Sequence, residues 1–324
     1  MATSTMIQML TTTQIASLSS TSLGTFSATE LGYITTTQLG FLSTTQIGYL
    51  NATQFPGLTS TQVTALSTTQ VSILTTTQLG SVTTTQVGGL STTGMAFLST
   101  TQLGGLKSTQ VAALSTTQIN ILNTTKIASL TTTQIGGLKS TQVAALSTTQ
   151  LAILTTTTLS SLSTTQVGGL TTTELVSLTT TQLGGLSTTQ LGALNTTQMA
   201  GLSTTEIVSL TTTQLSGLKS SQIGMLTTTQ LNALTTTEMV SLSTTQVGGL
   251  TTTGVAALTT TQLAIMNTTQ LGVLTSAQVG ALTTTELVNL STTQLGGLSS
   301  TQLGVLTTTQ SGILTTTEIG ALST

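Results

Sequence analysis

The sequence predicts an all-α fold: an elongated solenoid of very short helices, with sixteen residues, or two octads, in each coil. Three observations carry this prediction. An eight-residue period runs through forty octads, from Ala2 to Ala321, and a fixed period of this kind marks a repeat array. Nearly every octad contains the residues that start a helix. Finally, all ten charged side chains fall in every second octad, which doubles the repeat to sixteen residues.

The stretch LKSTQVAALSTTQINILNTTKIASL, residues 106–130, shows the octad. Leu106, Leu114, Leu122 and Leu130 open successive repeats. Ser or Thr usually follows in second place, Thr in third and fourth, and Gln in fifth. The sixth residue is Ile, Leu or Val, and the last two are mostly small. Ser or Thr in second place can cap a helix, with Gln or Glu in fifth place as the N3 partner of a capping box. The opening Leu then stands at N′ and packs on the branched residue at N4 as a hydrophobic staple. Glu in fifth place meets the positive end of the helix dipole, and Glu outnumbers Lys there by six to one. Gly or another small residue in the last two places ends the helix.

Alternate octads differ. Let type A be the octad Leu10 to Ser17 and its alternates, and type B the octad Leu18 to Thr25 and its alternates. Glu30, Lys107, Lys126, Lys139, Glu174, Glu206, Lys219, Glu238, Glu286 and Glu318 all lie in type A. In type B the fifth residue is Gln eighteen times running, from Gln38 to Gln310. In type A it can be Glu, Lys126, Gly94, Gly254 or Thr158. Since unpaired charges are rarely buried, type A reads as the solvated side of a coil and type B as its dry side. Gln182→Glu is then expected to destabilise, and Gln190→Glu to be nearly neutral.

A β-solenoid with sixteen-residue coils is the alternative fold. Runs of Thr with Val or Ile suit strands, and Lys107, Lys139 and Lys219 occupy cap positions where Lys cannot accept a hydrogen bond. Leu in nearly every first place, without strict two-residue alternation, favours helices. The whole of 1–324 reads as one repeat domain, with a degenerate N-terminal cap over about 1–33. Five of the six aromatic residues precede the single proline, Pro56.

The pattern L-T-T-x-Q-I/V-x-x, carried over essentially the whole chain, resembles the Thr/Gln-rich octapeptide arrays of large bacterial surface proteins often labelled haem-utilisation or adhesion proteins. That resemblance implies an extracellular or cell-surface setting. It implies no haem site, because the chain has neither His nor Cys to ligate iron.

Function classes narrow by chemistry. A net charge of −2 provides no field for nucleic acid or anionic lipid. No apolar run reaches the roughly 18–20 residues of a membrane span, and the opening MATSTMIQML shows no signal-peptide pattern. The glutamates are isolated, each at least 32 residues from the next, so no acid–base pair is expected. A Ser or Thr nucleophile lacks a His base. The expectation is therefore no catalytic, cofactor or metal site and no enzyme. The chain reads as a structural protein, the rod or spacer of an extracellular bacterial adhesin or a subunit of a surface filament. It could associate with itself or with other surface proteins, with no small-molecule substrate. An ice- or glycan-binding module that uses a charge-free threonine face is the second reading.

Overall fold

A computed structural model describes residues 4–322. By packing, the chain divides into two compact units, Met1–Gly169 and Leu170–Thr324, and each by itself is a solenoid of very short helices. Among the described residues there are 39 α-helices of four to six residues, one 3-10 turn (Phe55–Gly57) and no strand. Helices therefore prevail over the β alternative.

The local reason is the capping box. The helix Thr164–Gly168 is preceded by Ser163 in extended conformation, whose hydroxyl accepts from the Gln166 amide at 3.2 Å. In return, Ser163 N–H donates to Gln166 Oε1 at 2.7 Å. Two of the orphan donors at the helix start are thus satisfied by side chains. The octads with lysine in second place keep half of this device. Lys139 has no side-chain cap, yet its backbone N–H donates to Gln142 Oε1 at 2.7 Å. Even the octad containing Pro56 retains the reciprocal bonds between Asn51 and Gln54, at 2.9 and 3.0 Å. From Leu31 to Leu298 each octad buries its first and sixth residues, as at Leu162 and Val167, and these inward side chains form the core of each unit.

The helices end differently from expectation. Among the described residues no φ is positive, at glycine or elsewhere, so no left-handed cap is used. The chain leaves the helix when the next leucine becomes extended, as at Leu50 (φ −64°, ψ 122°). Glycine in eighth place serves close approach instead. A Cβ on Gly105 would lie 2.7 Å from Thr76 Cβ, and one on Gly217 2.5 Å from Thr188 Cβ.

The two-octad coil is overturned. Helices pack against helices three octads away, such as Ser60–Thr64 on Thr84–Gly88 and Ser220–Ile223 on Thr244–Gly248. The amides of fifth-place glutamines reach farther back. Gln134 Nε2 donates to Leu103 O at 2.8 Å and Leu106 O at 2.7 Å. Gln246 Nε2 does the same to Leu215 O and Leu218 O, at 2.7 and 2.8 Å. One turn thus takes between three and four octads. Two per turn would have required each octad to reverse the chain by half a turn, and its two inward residues would not share one interior. The sixteen-residue repeat keeps a meaning, because three is odd: every stacked pair joins a type A helix to a type B helix. Gly105 and Gly249 of type B rest on Thr76 and Ser220 of type A.

The wet and dry sides are also overturned. Gln190 of type A is 3 % exposed and Gln182 of type B 5 %. Both types use the fifth residue in the same rung, so burial cannot separate them. Nothing in the packing explains why type B alone keeps Gln throughout from Gln38 to Gln310.

Two predictions follow from the rung and from the glycine contact. Gln222→Glu (type A) and Gln246→Glu (type B) each lose a donor to two buried carbonyls. Both should lose about 1–3 kcal/mol of stability, and thermal melts should show drops of similar size rather than one neutral variant. Gly217→Ala should destabilise by about 1–3 kcal/mol through overpacking. Gly184, where an added Cβ meets nothing within 4 Å, should gain about 0.5–1 kcal/mol as alanine, measured by denaturant unfolding.

Candidate functional site

Three kinds of feature could carry function: buried ionisable rungs, grooves between helices, and the exposed hydroxyls. The rungs come first, because buried charge is costly unless it is paired. Glu174, Glu206, Glu238 and Glu286 occupy the fifth place and are all buried, contrary to the solvated position the sequence predicts. The capping box is what admits them. Thr171 N–H donates to Glu174 Oε2 at 2.6 Å and Ser203 N–H to Glu206 Oε2 at 2.5 Å, next to the positive end of the helix. A carboxylate therefore fills the acceptor half of the glutamine's role.

The donor half is missing. Glu206 Oε1 is buried with no hydrogen-bond partner, in the place from which a glutamine amide would reach back to the preceding turn. Lys126 fills the same place with a cation, and its ammonium donates to Ala96 O. Glu318, in the last octad, is half-buried. There the backbone N–H and hydroxyl of Thr315 donate to its carboxylate at 2.6 and 2.7 Å and hold its pKa below the usual value. Among the described residues no three His, Cys, Asp or Glu side chains gather as a metal-binding group.

Two grooves lie beside type B octads that carry Ile instead of Gly in eighth place. Ile153 borders an open groove of about 510 Å³ lined by Thr100, Thr124, Thr125, Ala128 and Ser129. In the second unit, Ile265 borders one of about 340 Å³ with Thr236, Thr237 and Val240. Both combine methyl groups with hydroxyls and include no titratable side chain. Such a surface can bind but has no group to move a proton. The sequence shows Ile in these places, but only the three-octad stacking shows that Thr124 and Ile153 meet.

The hydroxyls divide by position. Those in second place are committed as helix caps, as at Thr131 and Ser147. Those in fourth place, such as Thr45, Thr69 and Thr93, face solvent. No helix among the described residues is long and apolar enough to cross a membrane.

Replacing Glu206 with Gln restores the missing donor in a rung that already has its acceptor. Glu206→Gln should raise stability by about 1 kcal/mol, read as an increase in melting temperature at neutral pH. An unchanged or lower melting temperature would show that the rung gains nothing from a donor at this place.

Residues 116–148, 172–204, 226–260 and 255–284 match the ALTTAQ repeat. No curated protein matches the chain. The four repeat matches and the unbroken threonine-rich array identify a structural repeat protein.

Proposed function

We propose that this repeat protein is a rod or spacer of an extracellular bacterial adhesin, or a subunit of a surface filament. The observation that supports the reading most is where the polar chemistry goes. The glutamine of each rung is consumed in joining one turn to the turn before, as Gln134 and Gln246 show, and the second-place hydroxyl is consumed in starting a helix. A turn held only by its neighbours lets an array grow by repetition without new fold information. Such growth suits a part whose role is reach. With no His in the chain to serve as a base, the chain is not an enzyme in this reading.

The test is made in the native cell. Antibody raised against the array should label intact cells, and removal of four octads, residues 226–257, should leave the protein folded by circular dichroism. Attachment or filament assembly should weaken with the shortening. It should recover when residues 194–225 are duplicated to restore length. Label seen only after permeabilisation would overturn the surface location. Failure of the duplicate to restore what the deletion removes would overturn the spacer role. The second reading, an ice-binding face, draws on the exposed fourth-place threonines, and thermal hysteresis by the purified chain would be its sign.

A further inference from the structure

Most residues in eighth place are small, but four break that rule at one interval. Tyr49, Ile73, Phe97 and Ile121 are spaced by 24 residues, the interval at which helices stack. Their helices, Thr44–Tyr49, Thr68–Ser72, Thr92–Phe97 and Thr116–Asn120, pack in that order within the first unit, with Ile73 and Ile121 immediately after theirs. The four side chains therefore fall in one column. Tyr49 and Phe97 are each 57 % exposed and Ile73 37 %, while Ile121 is half-buried. Small seventh-place residues, Gly48, Ser72 and Ala96, stand between them. An apolar ridge thus rises beside the exposed fourth-place threonines Thr45, Thr69 and Thr93.

We propose that this ridge is a docking strip for an uncharged carbohydrate chain. Three observations select that occupant. Tyr49, Ile73 and Phe97 lie in the longest charge-free stretch of the sequence, between Glu30 and Lys107, and the one cation brought beside them, Lys126, donates to Ala96 O, so the strip offers no cluster of charges to a charged peptide, nucleic acid or anionic surface. Its exposed apolar area is on the order of 300 Å², taking 150–250 Å² for a whole aromatic side chain. That falls short of the ~800 Å² per partner of a stable protein interface and suits a narrow chain. Next to each ring, one helical turn earlier, stands an exposed threonine: Thr45 before Tyr49 and Thr93 before Phe97. Residues four apart share a helix face. A hydroxyl both donates and accepts, which matches the hydroxyls of a sugar, while the ring faces accept its C–H surface.

The test uses the full chain in native gels containing hydroxyethylcellulose, galactomannan or laminarin, all of them neutral polysaccharides. At least one should retard the wild-type protein. Tyr49→Ala and Phe97→Ala should each weaken retardation roughly tenfold, since a lost ring contact of about 1.4 kcal/mol is a tenfold change in Kd. Phe41, equally exposed at 56 % but outside the 24-residue column, serves as the control. Phe41→Ala should bind as the wild type does, and circular dichroism should show all three variants folded. Retardation by none of the polymers would overturn the proposal, as would an equal loss with Phe41→Ala. Self-association abolished by Phe97→Ala would assign the ridge to a second copy and overturn it as well.

Discussion

The glutamine in fifth place of most octads holds the solenoid together, because its amide answers both ends of a five-residue helix. Such a helix is barely one and a half turns long, so almost every backbone group in it is an orphan. Isolated helices of this length do not form in water. The carbonyl oxygen of Gln134 takes the N–H of Thr131 at the start of its own helix, at 2.9 Å. Its nitrogen supplies donors to Leu103 and Leu106 at a helix end in the preceding turn. A single buried side chain thus couples local helix formation to the stacking of turns. Neither is stable without the other, and the polar network is acceptable in the interior because its members are satisfied.

The exceptions show what that interaction demands. Glu206 keeps the acceptor and leaves an oxygen unpartnered. Lys126 gives up the acceptor and keeps a donor, reaching Ala96 O. Lys139, in the cap position, shows the reverse economy, since the glutamine of the same octad still captures its N–H. Partial rungs are thus scattered among complete ones, and each turn still has complete rungs to hold it. This redundancy is how a quasi-one-dimensional array tolerates local substitution.

The same stacking sets where function can appear. Interior positions are taken by leucine and its branched partners, and second-place hydroxyls by caps. The fourth place faces outward at Thr45, Thr69 and Thr93, and the eighth does so where it carries Tyr49 or Phe97. Variation there changes the surface without disturbing the rungs. Grooves lie beside Ile153 and Ile265, and Tyr49 and Phe97, in line with Ile73 and Ile121 at 24-residue intervals, raise a ridge. A binding surface on such a scaffold is written by residues that look unrelated along the chain.

The sequence by itself determined the helices. Ser or Thr, then Gln or Glu three places on, with an apolar residue on each side, is a local signal, and the bonds it makes lie within one octad. The repeat length and the burial of the first and sixth places were legible for the same reason. What only the tertiary structure decided was the number of octads in a turn, and with it the meaning of the two octad types. That number depends on the turning angle of each link and on the room needed by two inward side chains, neither of which an eight-residue pattern records. Charge in the fifth place suggested water at Glu174 and Glu206, yet both are buried, because a capping box can hold a carboxylate inside. The 24-residue column from Tyr49 to Ile121 was present in the letters throughout. It became a surface only once helices three octads apart were found to touch.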